Sequence, residues 1–245
     1  MRFLSSLFLL SLFSLHAAKV GLLVVATGKY TQFVAPLVES ARKYFCKGHT
    51  VTYFIFTDGQ VPSAFDIVSL PHRKLGWPYD TLMRYAAYQS AQHLLIQQDY
   101  LFACDADMLF CADVGEEIFS KRVATLHPGF FPESPYPRSR GAYDTNPIST
   151  AYVPPHEGTH YFAGGFYGGE SSEVLRIVNV ILERIEKDKQ NGYIAVWHDE
   201  SHWNRYCIDF PPTLILSPSY CYPESWSLSY TKKLLALDKN HAEIR

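Results

Sequence analysis

Three short strings carry residue types able to do chemistry. In Asp105-Ala106-Asp107, two carboxylates spaced i, i+2 follow the apolar run Tyr100 to Cys104. On a loop leaving a buried strand, such a pair reaches one small volume. Hard divalent ions such as Mg²⁺ or Mn²⁺ take oxygen ligands and share them with substrate phosphates. A bare D-x-D string arises easily by chance, so the strand before it is what favours a functional reading. In His198-Asp199-Glu200, two adjacent carboxylates stand beside His and Trp. They are either a solvated helix start, with Asp as N-cap, or a cleft pair with one carboxylate facing an anomeric carbon as nucleophile or charge stabiliser. Phe162-Ala163-Gly164-Gly165-Phe166 is either a tight turn or a shallow floor where a ring lies near the backbone. Its spacing is neither a dinucleotide nor a P-loop fingerprint, which sets aside nicotinamide and ATP sites. The basic tail from Lys232-Lys233 to Arg245 is ordinarily solvated surface; the other reading is a lid over a bound diphosphate.

The elements that must position these residues follow from apolar spacing. Lys19 to Ala26 is a continuous Val/Leu run, suited to a strand buried on both faces. Phe33 to Phe45 has helical spacing, and Thr50 to Phe56 is a second strand ending at the turn Thr57-Asp58-Gly59. The spacing predicts one helix over Thr81 to Ile96, with Leu82, Tyr85, Ala86, Gln89 and His93 near one face. Strands are predicted at Tyr100 to Cys104 and Val123 to Leu126, and a strong helix at Ser171 to Lys187. Gly129 to Thr159 reads as a long surface excursion. Alternation of strand and helix argues for an α/β arrangement with one sheet, mixed and mostly parallel, flanked by helices. Ligands of such sheets bind at the carboxyl ends of the strands, where Asp105 and Asp107 fall.

With 245 residues, 47% of them hydrophobic, the chain can build one full-sized core. A net charge of -2 argues against nucleic acid as a partner. The odd count of five cysteines matches no zinc spacing and no disulfide framework. Phe3 to Leu15 is an apolar run after Arg2, resembling a signal peptide, and Ala17 and Ala18 could flank a cleavage site. It is short of the about 20 residues of a membrane span. The division is therefore a signal- or anchor-like segment 1-18 and a catalytic domain 19-245. The expectation is export or membrane association if the first segment acts, and a cytoplasmic protein otherwise.

Taken together, these strings resemble the family 6 glycosyltransferases, which include the histo-blood group transferases and α1,3-galactosyltransferase. The similarity runs from about Val20 to Arg245. It rests on Phe56-Thr57-Asp58, Asp105-Ala106-Asp107-Met108, Thr125-Leu126-His127-Pro128-Gly129-Phe130, Gly164-Gly165-Phe166-Tyr167-Gly168-Gly169, Trp197-His198-Asp199-Glu200-Ser201-His202, Leu216-Ser217-Pro218 and Lys239-Asn240-His241. The resemblance implies a GT-A fold and retaining transfer of GalNAc or Gal from a UDP-sugar to a galactoside, fucosylated in many relatives, in an α1,3 linkage. It implies Asp105 and Asp107 as ligands of Mn²⁺, for which Mg²⁺ could substitute. Val25, Ala26 and Tyr30 fall where uridine is held. Arg84, Asp199 and Gly164 fall against the donor sugar, with Ala163 and Gly165 tuning Gal against GalNAc. Both are small, which leans towards UDP-GalNAc. Lys239 and Arg245 match the tail cations on the diphosphate. His127, Trp197 and Glu224 fall at the acceptor, and Glu200 matches the carboxylate proposed as nucleophile or stabiliser. Two departures stand out. No stem precedes the domain, as in compact bacterial members, and the acid expected near Pro223 is one place later, at Glu224. Some bacterial members have asparagines at the metal positions and work without metal; the two aspartates here imply metal dependence. The rival reading is a non-catalytic glycan-binding protein on the same fold.

Overall fold

The computed structural model describes residues 17–130 and 141–244. The signal-like segment, save Ala17 and Ala18, and the tail residue Arg245 lie outside them. The elements are β1 (Lys19–Val25), α1 (Val34–Tyr44), β2 (Thr50–Thr57), β3 (Ile67–Pro71), α2 (Tyr79–Leu82), α3 (Arg84–Ser90), α4 (Gln92–Leu95), β4 (Tyr100–Cys104), β5 (Met108–Phe110), β6 (Arg122–Leu126), β7 (Phe162–Glu170), α5 (Ser171–Gln190), α6 (His198–Asp209), β8 (Leu214–Leu216), β9 (Tyr222–Pro223), β10 (Leu234–Ala236) and α7 (His241–Ile244).

The main sheet has seven strands in the order β3-β2-β1-β4-β7-β6-β8. All pair in parallel except β7, which runs antiparallel to β4 and β6. This is the mixed, mostly parallel sheet expected, in a GT-A-like fold. A second sheet, β5-β10-β9, was not foreseen, because its strands are two or three residues long and carry no readable period. Helices cover both faces. Val34, Leu37, Val38 and Ala41 of α1 pack on one side with Val20, Leu22 and Val24 of β1. On the other side Val174, Ile177, Val178, Ile181 and Ile185 of α5 pack with Tyr85, Tyr88 and Trp203. Burial on both faces explains the unbroken apolar run of β1.

The chain leaves β1 towards β2 and β3, then returns to the opposite side as β4. The carboxyl ends of β1 and β4 thus flank a topological switch point, where a crevice forms.

Three expectations are corrected. The helix over Thr81 to Ile96 is three short helices, interrupted at Met83 (φ -93°, ψ 14°) and Ala91 (φ -107°, ψ 11°). Leu82, Tyr85, Tyr88, Ala91 and Leu95 are nonetheless all buried, so the apolar period carries across the breaks and hides them. Gln89 and His93, expected near the apolar face, are exposed. Phe162 to Gly169 is not a turn but the central strand β7. Its glycines serve close packing: a Cβ on Gly168 would lie 2.2 Å from the Leu101 carbonyl oxygen. Among the described residues no helix is long and apolar enough to cross a membrane.

Candidate active site

A cleft of about 240 Å³ opens at the carboxyl ends of β1 and β4. Val25, Thr27 and Tyr30 from the end of β1 line one wall, and Cys104 to Asp107 from the end of β4 line the floor. Lys74, Trp77, Asp80, Thr81 and Arg84 close a second wall, while Lys239, His241 and Ile244 cover it from the C-terminus. The basic tail is therefore cleft lining and not only solvated surface. It is tethered there by Lys29 Nζ, which donates to the Glu243 carbonyl (2.6 Å).

The loop shapes are fixed by two carboxylates, exposed Asp58 and buried Asp144. Asp58, at the end of β2, accepts the Gly28 N–H (2.8 Å) and the Lys74 N–H (3.0 Å), joining two walls. Asp144 is buried and accepts the Asn146 and Val196 N–H groups, and the Tyr193 hydroxyl. That anchors part of the long excursion to the segment entering α6; residues 131–140 of the excursion lie outside the described residues.

Arg84 is the hub of the floor. Its Nη1 donates to Asp105 Oδ1 (2.7 Å) and to the Gly164 carbonyl (3.3 Å), and its Nε lies 3.0 Å from Asp199 Oδ2. Thr81 ties the same group together, donating to Asp199 Oδ1 (2.7 Å) and accepting from Arg84 Nη2 (3.0 Å). Burial works against the charge of Arg84, but the two carboxylates more than offset it and hold the guanidinium ionised. Burial pushes the Asp199 carboxyl up despite Arg84 and Thr81.

Glu200 sits one residue on, at the start of α6. Its Oε2 accepts the Gly164 N–H (2.8 Å), and the Tyr161 hydroxyl also bonds the carboxylate. Both bonds favour the charged form, yet burial prevails and pushes its pKa to about 7. Asp199 is thus no helix cap and the pair is no solvated helix start. Instead Ser201 Oγ accepts the Trp197 N–H (2.9 Å), which closes the first turn of α6. His198 takes a left-handed φ of 52°, rare for a residue with a Cβ, and this turn aims Asp199 and Glu200 at the floor.

Asp105 and Asp107 both face the cleft. Asp105 Oδ1 is on Arg84, and Asp107 Oδ2 pairs with Lys239, which also stands over the Tyr30 ring (5.7 Å). Each carboxylate keeps a second oxygen. Among the described residues no three His, Cys, Asp or Glu side chains gather as a metal cage. The donor set is two hard oxygens beside an open crevice. It fits an ion whose remaining ligands come from a phosphate substrate and water, not an all-protein cage.

Ala163, Gly164 and Gly165 are buried in β7. A Cβ on Gly164 would approach Glu200 Oε2 (3.5 Å), and one on Gly165 would approach Asp105 Oδ2 (3.5 Å) and Cys221 Sγ (3.3 Å). Ala26 is fully buried in the core, so it can meet a ligand only through its backbone. His127 is half-buried against Tyr161 (5.7 Å between rings), the residue that reaches Glu200. Burial holds its pKa down to about 4. Its Nδ1 accepts the Gly129 N–H (3.0 Å), leaving the proton on Nε2. Trp197 is 54% exposed, three residues before Glu200. Glu224 is exposed and outside the cleft lining; it accepts the Asp238 N–H (2.8 Å), one residue before Lys239. Thr81, Tyr161 and Trp77 were not singled out from the sequence. Only Trp77 has a signal in the sequence, an aromatic between the turn residues Gly76 and Pro78; in the structure it is 49% exposed.

Two carboxylates leaving a parallel strand, an Arg between opposing acids and a further acid bonded to a glycine of β7, on this sheet order, suit a glycosyltransferase of GT-A-like fold. Comparison of the sequence with known families narrows the class. Residues 4–245 match glycosyltransferase family 6, and the chain belongs to that family. The rat Histo-blood group ABO system transferase 1 (Rattus norvegicus) is 38% identical over 95% of this chain and 70% of its own length. The human Globoside alpha-1,3-N-acetylgalactosaminyltransferase 1 (Homo sapiens) is 34% identical over 92% of this chain and 68% of its own. The mouse Glycosyltransferase 6 domain-containing protein 1 (Mus musculus) is 28% identical over 85% and 69%.

Proposed function

We propose that this chain transfers GalNAc or Gal from a UDP-sugar to a galactoside acceptor, with retention and in an α1,3 linkage, with the help of a divalent cation. The observation that carries the reading is the placement of Glu200. Its carboxylate is hydrogen-bonded beneath Gly164, beside the Asp199–Arg84–Asp105 chain that leads into the cleft. In the reaction the bond from the anomeric carbon to the UDP oxygen breaks and one to the acceptor oxygen forms, the hydroxyl proton passing to the departing diphosphate. Glu200 faces the anomeric carbon as nucleophile or as stabiliser of positive charge. Arg84 and Asp199 hold donor hydroxyls, and Val25 and Tyr30 hold uridine. Asp105 and Asp107 would hold Mn²⁺, which supplies charge neutralisation for the departing diphosphate. Lys239, with Arg245, adds to that neutralisation. His127 presents its Nε2–H, and Trp197 an aromatic face, to the acceptor galactose, with Glu224 at its outer side.

Donor choice rests on the room above Ala163 and Gly165, and the small pair favours UDP-GalNAc. The names of the globoside relatives support the same sugar and linkage. Export or membrane association through residues 3–15 is part of this proposal.

The test is UDP release from UDP-GalNAc and UDP-Gal, with and without Mn²⁺, using fucosylated lactose as first acceptor. Release that depends on acceptor and Mn²⁺, and falls to a small residual rate in Asp107→Asn and Glu200→Gln, is the expected result. Undiminished release in EDTA would remove the metal. A β-linked product would remove retention. No release with any galactoside would overturn the enzyme in favour of a glycan-binding protein.

A further inference from the structure

Asn204 stands one turn after Glu200 on α6 and is 1% exposed. Its Oδ1 accepts the Phe162 N–H (2.8 Å), and its Nδ2 donates to the Phe162 carbonyl (2.8 Å) and to the Glu200 carbonyl (2.9 Å). Nothing in the mechanism above uses it.

The reason for this clamp lies in the sheet. The β4–β7 ladder runs from Tyr100↔Glu170 to Cys104↔Phe166. One further bond, Asp105 N–H to the Gly165 carbonyl (2.9 Å), follows before the chain turns away into the cleft floor. Phe162 to Gly164 therefore extend beyond the end of β4. The Tyr161 carbonyl turns to β6 and takes the His127 N–H, so Phe162 offers its own N–H and C=O to the edge that β4 has left. Those groups are buried and need partners. Side chains of α6 supply them. Asn204 bonds both backbone groups of Phe162, and Glu200 bonds the N–H of Gly164.

The spacings agree. Four helical residues rise about 6 Å, and two strand residues advance about 6.7 Å. Residues i and i+4 of a helix can thus meet alternate residues of a strand. We infer that Asn204 is a positioning residue for transfer: it completes the interrupted ladder at Phe162 and so sets the register of the Glu200 carboxylate beneath Gly164. The inference rests on the role of Glu200 given above. Asn204 touches neither donor nor acceptor and acts only through Glu200 and the glycine floor.

The experiment compares Asn204→Leu and Asn204→Ser, alone and combined with Glu200→Gln, in the full chain with Mn²⁺, a UDP-sugar and acceptor. UDP affinity is measured by calorimetry on each. In the single variants kcat should fall at least about tenfold, because a misplacement of under an ångström is costly at a reacting centre. UDP affinity and donor KM should stay within about twofold, since the uridine wall lies across the cleft. Added to Glu200→Gln, neither substitution should lower the residual rate by more than about twofold, the mark of two residues acting as one unit. Losses that multiply in the Glu200→Gln background would overturn the inference. So would a kcat loss matched by an equal loss of UDP affinity, the mark of general loosening. Asn204→Ser, smaller and uncharged, carries the comparison if the leucine variant does not fold. Glu200→Gln with a full transfer rate would instead refute the role of Glu200 itself, a separate result from additive losses beside an impaired Glu200→Gln.

Discussion

Glu200 should destabilise the fold that it serves. Replacing it with Gln, which keeps the shape and the hydrogen bond from Gly164, should therefore raise stability while cutting transfer to a small residual rate. Burial moves the Glu200 pKa from the ordinary 4.5 to about 7. The sign follows from proton binding. Between these values the folded state holds a proton that the unfolded chain has lost, so stability falls as pH rises through this window. Below the unfolded value both states are protonated and Gln gains nothing. Above the folded value the full cost applies, about 3 kcal/mol for a shift of this size. Glu200 keeps some access to water, which reduces the expected gain to about 2 kcal/mol. For a chain of this length that is a rise in Tm of roughly 4–8 °C. The assay is thermal unfolding of both proteins from pH 4.5 to 8.5, in EDTA and without donor. The Tm difference should be near zero at the acid end and largest at the alkaline end. A difference independent of pH, or a Gln variant less stable at pH 8, would refute the argument.

Other outcomes follow from the same geometry. Arg84→Lys cannot span Asp105, Gly164 and Asp199 at once; losing one or two charge-assisted bonds should lower kcat/KM about 10- to 100-fold, read by steady-state UDP release. Gly168→Ala would place a Cβ 2.2 Å from the Leu101 carbonyl and should leave little folded protein, whereas Gly192→Ala, at φ 67° in open space, should cost about 1 kcal/mol in urea unfolding. Lys239→Ala should weaken UDP binding with Mn²⁺ present and also lower the apo melting temperature, because it strips the partner from Asp107, which is 5% exposed; calorimetry with UDP and a melting curve test both halves.

Much of the frame could be read from residue order. Continuous apolar runs mark strands covered on both faces, so β1, β2 and β4 were found nearly to the residue. The stripe of α5 was equally plain. Local pattern could not expose the breaks at Met83 and Ala91, because burial keeps helical timing across them. The glycines of β7 misled for a physical reason: glycine usually signals a turn, but here it makes room for the backbone of β4. Asp105, Asp107, Asp199, Glu200 and Arg84 were singled out from chemistry and resemblance; Arg84 joins Asp105 and Asp199 directly and Glu200 through Gly164, whereas Asp107 pairs with Lys239. Thr81 and Asn204 went unseen. A threonine or asparagine on a helix has no distinctive neighbours in the chain, and their partners lie 118 and 42 residues away.

The two margins of the large sheet carry a consequence for handling the protein. β3 ends at Pro71, which has no N–H to offer a new strand, and β8 is three residues long. Neither margin gives another copy of the chain a long run of open donors and acceptors, so edge-to-edge stacking has little to build on. Association of copies through these two margins should therefore be weak.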